Sequence, residues 1–173
     1  YVQCMQRHAQ TPRVEDVRKL NRLLRWVQKR PAGIVYKKRQ FRSFSWRLSA
    51  VSDGAFRSLE DNTTGLALKG FVILLTITSD AHPGGECIIL DYGTKKSKRV
   101  NRSTFTAEFN AAIDTVDVAT VVQFILEEVF NPKSTDPAVM QQIYSSGAMT
   151  VPMELCIDAR AVFDAIVSTE YSM

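Results

Sequence analysis

Three carboxylates stand at positions from which a fold could gather them. Asp53 ends a strand that runs through Trp46, Leu48, Ala50 and Val51 into Ser52-Asp53-Gly54. Glu108 lies one turn into a long helical stretch, and Asp158 closes the short run Glu154-Leu155-Cys156-Ile157-Asp158. Carboxylates on strand ends and a facing helix are the hard oxygen ligands that Mg2+ takes. Two such ions about 4 Å apart activate a water and stabilise the leaving oxygen of a phosphodiester. Each acid taken singly is more often a cap or a solvated turn residue. The order Asp, Glu, Asp on three separate elements is what points to metal chemistry.

Charge is divided along the chain rather than spread. Residues 1–47 hold 13 of the 22 Lys and Arg but only Glu15 and Asp16 of the 18 acids, formally +11, which leaves −7 for the remainder. A basic arm on an acidic body draws polyanions to one end, and nucleic acid is the commonest partner for such a field. Docking of a solvated basic helix on an acidic protein is the alternative. The candidate contacts are Arg18, Lys19, Arg22, Arg25, Lys29 and Arg30, followed by Lys37, Lys38 and Arg39.

Other chemistries find little support. Cys4, Cys87 and Cys156 are odd in number and far apart, and only His8 and His82 accompany them. That pattern speaks against a disulfide framework or a zinc site and for buried or inert thiols in a reducing, intracellular compartment. Mitochondrion and nucleus or cytoplasm are not distinguished. The most apolar stretch, residues 66–78, is interrupted by Lys69 and is too short to span a bilayer, so no membrane partner is expected. The chain opens on Tyr1 without a signal pattern, as a piece of a longer or processed chain would.

The elements that must position these residues read as follows. Thr11-Pro12 supplies a hydroxyl N-cap and a Pro at the first helical position, with Glu15 and Asp16 in the first turn, so a helix is expected to about Gln28. Val14, Val17, Leu20, Leu24 and Val27 recur along one side of it, and Pro31-Ala32-Gly33 stops it. Residues 34–44 read as a short strand and connection. Residues 65–78, rich in Phe, Val, Ile, Leu and Thr, make the clearest strand, separated from the Asp53 strand by the polar turn 59–64. After a second turn at His82-Pro83-Gly84-Gly85 a third strand covers residues 87–90. From Ser103 the period becomes helical through Phe105, Phe109, Ala112, Ile113, Val116, Ala119 and Val122, ending at Asn131-Pro132. A short helix within a loop is expected between residues 133 and 150, then a short buried strand ending on Asp158, then a helix over 161–166. Strand, strand, strand, helix, strand, helix is an α/β order with an antiparallel start and a parallel fourth strand.

Several of these segments resemble one family. The run from Thr11-Pro12 through Arg18-Lys19-Leu20-Asn21-Arg22-Leu23-Leu24-Arg25-Trp26 to Gly33-Ile34-Val35-Tyr36 looks like the segment joining reverse transcriptase to ribonuclease H in copia-type retrotransposon polyproteins. Ser52-Asp53-Gly54-Ala55 resembles the first catalytic motif of that ribonuclease H, and Asn62-Thr63-Thr64-Gly65 the turn before its second strand. Arg102-Ser103-Thr104-Phe105-Thr106-Ala107-Glu108-Phe109 resembles the start of its acid-bearing helix. Cys156-Ile157-Asp158-Ala159-Arg160-Ala161-Val162-Phe163-Asp164 resembles the strand-to-helix motif that holds the third acid.

The resemblance implies a ribonuclease H-like fold over residues 46–173, truncated before the family's last strand and helix, behind a basic N-terminal helix and tether over 1–45. It implies Asp53, Glu108 and Asp158 as catalytic metal ligands for Mg2+, and RNA or an RNA:DNA hybrid as partner. The family's fourth acid has no counterpart: Asp164 is expected to point elsewhere and Glu170 to sit in a tail. A sheet edge left open by the missing strand calls for a covering partner. The expected role is therefore a domesticated, non-catalytic nucleic-acid-binding component of a ribonucleoprotein, such as an organellar ribosome, held among other proteins. An active Mg2+-dependent ribonuclease H of a retrotransposon reverse transcriptase is the alternative.

Overall fold

The computed structural model describes residues 11–30, 33, 34, 36, 45–56, 66–77 and 86–170, without the side chains of residues 66, 99, 169 and 170. They belong to two separately compact units, Tyr1–Arg39 and Gln40–Met173. The described part of the first is essentially one helix, α1 (Val14–Lys29).

The second unit is an α/β fold on one mixed sheet. Its strands are β1 (Trp46–Ala55), β2 (Leu66–Ile77), β3 (Cys87–Val100) and β4 (Met153–Ile157), in the order β3-β2-β1-β4. β2 pairs antiparallel with both β1 and β3, whereas β4 lies parallel to β1. A parallel neighbour needs a crossover. Here it is made by the long helix α2 (Thr104–Phe130), a single 3-10 turn (Pro132–Thr135) and α3 (Pro137–Ser146), and α4 (Arg160–Glu170) follows β4. The expected order of three antiparallel strands, helix, parallel strand and helix is what the chain adopts.

Strand alternation decides which face each residue serves. Trp46, Leu48, Ala50, Ser52 and Gly54 of β1 are buried, and the first three form one cluster with Ile73 and Leu75 of β2, Ala119 and Val151. α2 lies on this face through Ala107, Ala111, Thr115, Ala119, Gln123 and Glu127, a stripe with a spacing of four. Small residues there let the helix come close to the sheet. Phe105, Phe109 and Ile113, part of the apolar series expected along this helix, point away and stay exposed. By length and composition alone α2 is also long and apolar enough to cross a bilayer, although its apolar residues form no unbroken run. Its buried stripe covers the sheet.

Other boundaries move as well. α1 begins two residues later than expected, with Arg13 at the N-cap in place of Thr11; the Arg13 N–H donates to Asp16 Oδ2 at 2.9 Å, so the first-turn acid does the capping. β3 continues ten residues beyond the expected 87–90 through Asp91, Tyr92, Lys95, Lys96 and Lys98. It is an edge strand, where lysines remain solvated, so its polar second half carried no apolar signal. β4 is half-exposed rather than buried, because among the described residues no strand lies on its far side. Glu170 closes α4 and is not in a tail. Cys87 and Cys156 are free and exposed, not buried. Partial burial of the Cys156 thiol, then the adjacent Glu154, push its pKa up against the pull of Arg47, which keeps it a poor nucleophile. Gly33, Ile34 and Tyr36 show no strand, and the rest of the segment 37–44, the turns at 59–64 and 82–85, Cys4, His8 and His82 lie outside the described residues.

Candidate metal centre and basic helix

The register of β4 against β1 sets two of the three acids side by side. Val51 pairs with Cys156 and Ser52 with Ile157, so the next residues outward are Asp53 and Asp158. Side chains on the open sheet face hold that register. The Glu154 carboxylate accepts from Arg47 Nη1 and from Ser49 Oγ, each at 2.7 Å.

β1 outruns β4. The Leu48 N–H donates toward β4, to Pro152 O at 2.9 Å, and by alternation the Gly54 N–H points the same way. β4 has ended by then, and a buried N–H without an acceptor is costly. Glu108 supplies the acceptor: its Oε2 receives the Gly54 N–H at 2.9 Å. Glu108 reaches this point because α2 starts where it does. Ser103 caps the helix, accepting from the Thr106 N–H at 3.1 Å, and Asp114 on the same helix is held by Lys69 of β2 and Lys95 of β3 at 2.9 and 3.0 Å. Gly54 permits the approach, since a Cβ there would lie 2.8 Å from both Ala107 O and Glu108 Cα.

As a result Asp53, Glu108 and Asp158 each bring a carboxylate oxygen within 4.8 Å of the others. All three acids named from the sequence come together. Asp53 and Asp158 are exposed and Glu108 is half-buried. Burial raises the Glu108 pKa; the Gly54 hydrogen bond opposes that, and repulsion from Asp158 and then Asp53 raises it further. Among the described residues no lysine or arginine pairs with the three. Asp164, the next acid along the chain, stays apart in an exposed pair with Arg160 at 3.6 Å.

The donor set suits a hard divalent cation. Oxygens on opposite sides of Mg2+ lie about 4.2 Å apart and those around Ca2+ somewhat farther, so the spacing admits either.

Two residues that sequence reading passed over secure the entry to β4. Glu127, only 1% exposed, accepts from the Thr150 N–H at 2.6 Å, from Thr150 Oγ1 at 3.0 Å and from Asn131 Nδ2 at 3.2 Å. Gln123 Nε2 donates to Val151 O at 2.8 Å. Together they fasten the segment that enters β4. Their signal was available: polar residues continuing the four-residue spacing of Ala111, Thr115 and Ala119.

α1 forms its own arrangement within the first unit. At 3.6 residues per turn, Arg18, Arg22, Arg25 and Lys29 fall within a sector of about 60°, and Val17, Leu20, Leu24 and Val27 lie roughly opposite. Lys19 leaves the row and pairs with Glu15 at 3.9 Å, and Arg30 stacks over the Trp26 ring at 5.2 Å. No residue of the helix is buried. Lys37, Lys38 and Arg39 are outside the described residues.

No protein-family model, curated protein or solved structure matches this chain.

Proposed function

We propose that residues 46–173 form a ribonuclease H-like domain of retroelement origin that binds divalent cations, Mg2+ first among them, at Asp53, Glu108 and Asp158 and hydrolyses phosphodiesters of RNA in an RNA:DNA hybrid. The observation that carries this reading is the convergence of three acids from β1, α2 and the end of β4 onto one point. The strand order β3-β2-β1-β4, with its antiparallel start and helical crossover, agrees with the architecture such a domain needs. Mg2+ bound there supplies charge for the developing oxyanion and lowers the pKa of a bound water. The chain's own part is positional. β1 and β4 hold Asp53 and Asp158 side by side, and the Gly54 N–H fixes one oxygen of Glu108. The row Arg18, Arg22, Arg25 and Lys29 contributes phosphate contacts that carry no sequence preference.

A second reading has its own support. Among the described residues only these three carboxylates group, and Asp164 is engaged by Arg160. A non-catalytic domain that holds RNA within a larger ribonucleoprotein needs no more than that. Cleavage of an end-labelled RNA:DNA hybrid in Mg2+ separates the two. Catalysis predicts cutting by the full chain that Asp53→Asn abolishes; equal inertness of both chains leaves the binding role. Mg2+ should in addition raise the melting temperature of the wild-type chain and not that of Asp53→Asn, with about 2.7 kcal/mol of added stability at a hundredfold excess over Kd.

A further inference from the structure

Gly70 sits in the interior of β2, opposite Asp53 on one side and Thr94 on the other. Glycine weakens a strand, and where it occurs inside one it marks a bulge or a place where a ligand or another backbone comes close. No bulge falls here. Both ladders keep their register from Leu68 to Ile73, and the residue is not in the left-handed region. Nor does the fold need the missing side chain. A Cβ on residue 70 would meet Thr94 Cγ2 at 3.7 Å and Asp53 O at 4.0 Å, which are ordinary contacts, whereas Gly54 and Gly93 are pressed at 2.8 Å by α2 and by the Phe71 ring.

The space over Gly70 belongs to a groove of about 440 Å³ lined by Val51, Asp53, Val72, Tyr92 and Thr94. By strand alternation these residues lie on the sheet face opposite α2. Asp53 is common to the groove and to the carboxylate group. Two strands across from Asp53 and two residues along, about 12 Å by the usual strand spacings, Tyr92 stands 66% exposed. An aromatic ring at that distance from a phosphate-binding centre is placed to stack a base, an interaction open to every base because each has a π-face.

We infer that this groove seats one nucleotide of the strand whose phosphate meets the carboxylates, with its sugar over Gly70 and its base against Tyr92. The inference rests on the phosphodiester reading above and deepens it: affinity beside the cluster comes from an apolar cradle and one stacked base, and is indifferent to sequence.

The test is a titration of the isotope-labelled full chain with a four-nucleotide RNA of mixed sequence in Mg2+, followed at the backbone amides. Shifts are expected at Gly70, Tyr92 and Thr94. Gly70→Val fills the cradle from a Cβ that meets nothing closer than 3.7 Å, so it should melt no lower than wild type and yet abolish those shifts. Tyr92→Ala should weaken binding about fivefold or more, as loss of one stack does. Wild-type binding by a folded Gly70→Val chain, or shifts confined to other residues, overturns the inference. Shifts at Gly70 and Thr94 that persist undiminished in EDTA support the groove and sink the metal reading. Amide shifts around Asp53 and Glu108 on adding Mg2+ alone, with none at Gly70 on adding RNA, leave the metal reading standing and overturn the groove.

Discussion

Gly54 donates its backbone N–H to Glu108 Oε2 at 2.9 Å, joining residues 54 positions apart in the chain at the point where β1 outruns its parallel neighbour. One contact thus satisfies a strand end and orients a candidate metal ligand. Gly54→Ala should break both. The added methyl would enter within 2.8 Å of α2 backbone, and a steric conflict of that kind costs about 1–3 kcal/mol. Thermal melting should show the loss, and Mg2+ should then stabilise the variant less than the wild type.

Glu127 is a fastening residue, not a ligand. Glu127→Ala removes the acceptor of the Thr150 N–H from a fully buried position and should destabilise by about 1–3 kcal/mol, while Glu127→Gln, which keeps an acceptor for it, should cost about half as much. Urea unfolding of the two variants checks the ranking. A Glu127→Ala chain as stable as wild type would remove the fastening role.

Acid stability should depend on Asp114. Burial pushes its pKa up, but the hydrogen bonds from Lys69 and then Lys95 outweigh that and hold it below the ordinary carboxylate value. A depressed folded pKa adds stability that is fully present above the unfolded value near 4 and disappears as pH falls through the lower folded value. The group is partly exposed, so the contribution is about 0.5–1 kcal/mol. Asp114→Asn should lower stability at neutral pH by that amount and converge with wild type once the pH has fallen below the lowered folded-state value. A constant offset across pH 2–7 would contradict this.

Nucleic-acid affinity should fall steeply with salt and should map to one side of α1. Each of Arg18→Ala, Arg22→Ala, Arg25→Ala and Lys29→Ala is expected to reduce the slope of log Kobs against log salt by about 0.9 on duplex DNA. Lys19→Ala should change it less, since Lys19 lies off the row and is already paired with Glu15. Anisotropy titrations between 50 and 200 mM salt measure the slopes. Salt-insensitive binding would exclude the phosphate role.

Much of this protein is written locally. The period change at Ser103, the apolar run of β2, the Asn131-Pro132 stop and the basic character of α1 are each set by short-range chemistry, so the element order and the three acids could be read in advance. Chain order even carried the antiparallel start and parallel return. What local chemistry could not carry was partnership. The polar half of β3 became a strand only because β2 offered a ladder and an edge leaves lysines solvated. Which face of α2 is buried was settled by close approach to β1, which favours Ala and Thr over Phe. The three carboxylates meet because the end of β4 leaves the Gly54 N–H for Glu108 and the register of β4 sets Asp158 beside Asp53. Residue types decided what chemistry the acids offer, and their meeting was decided by ladder register and unsatisfied backbone polarity, which exist only once the sheet has formed.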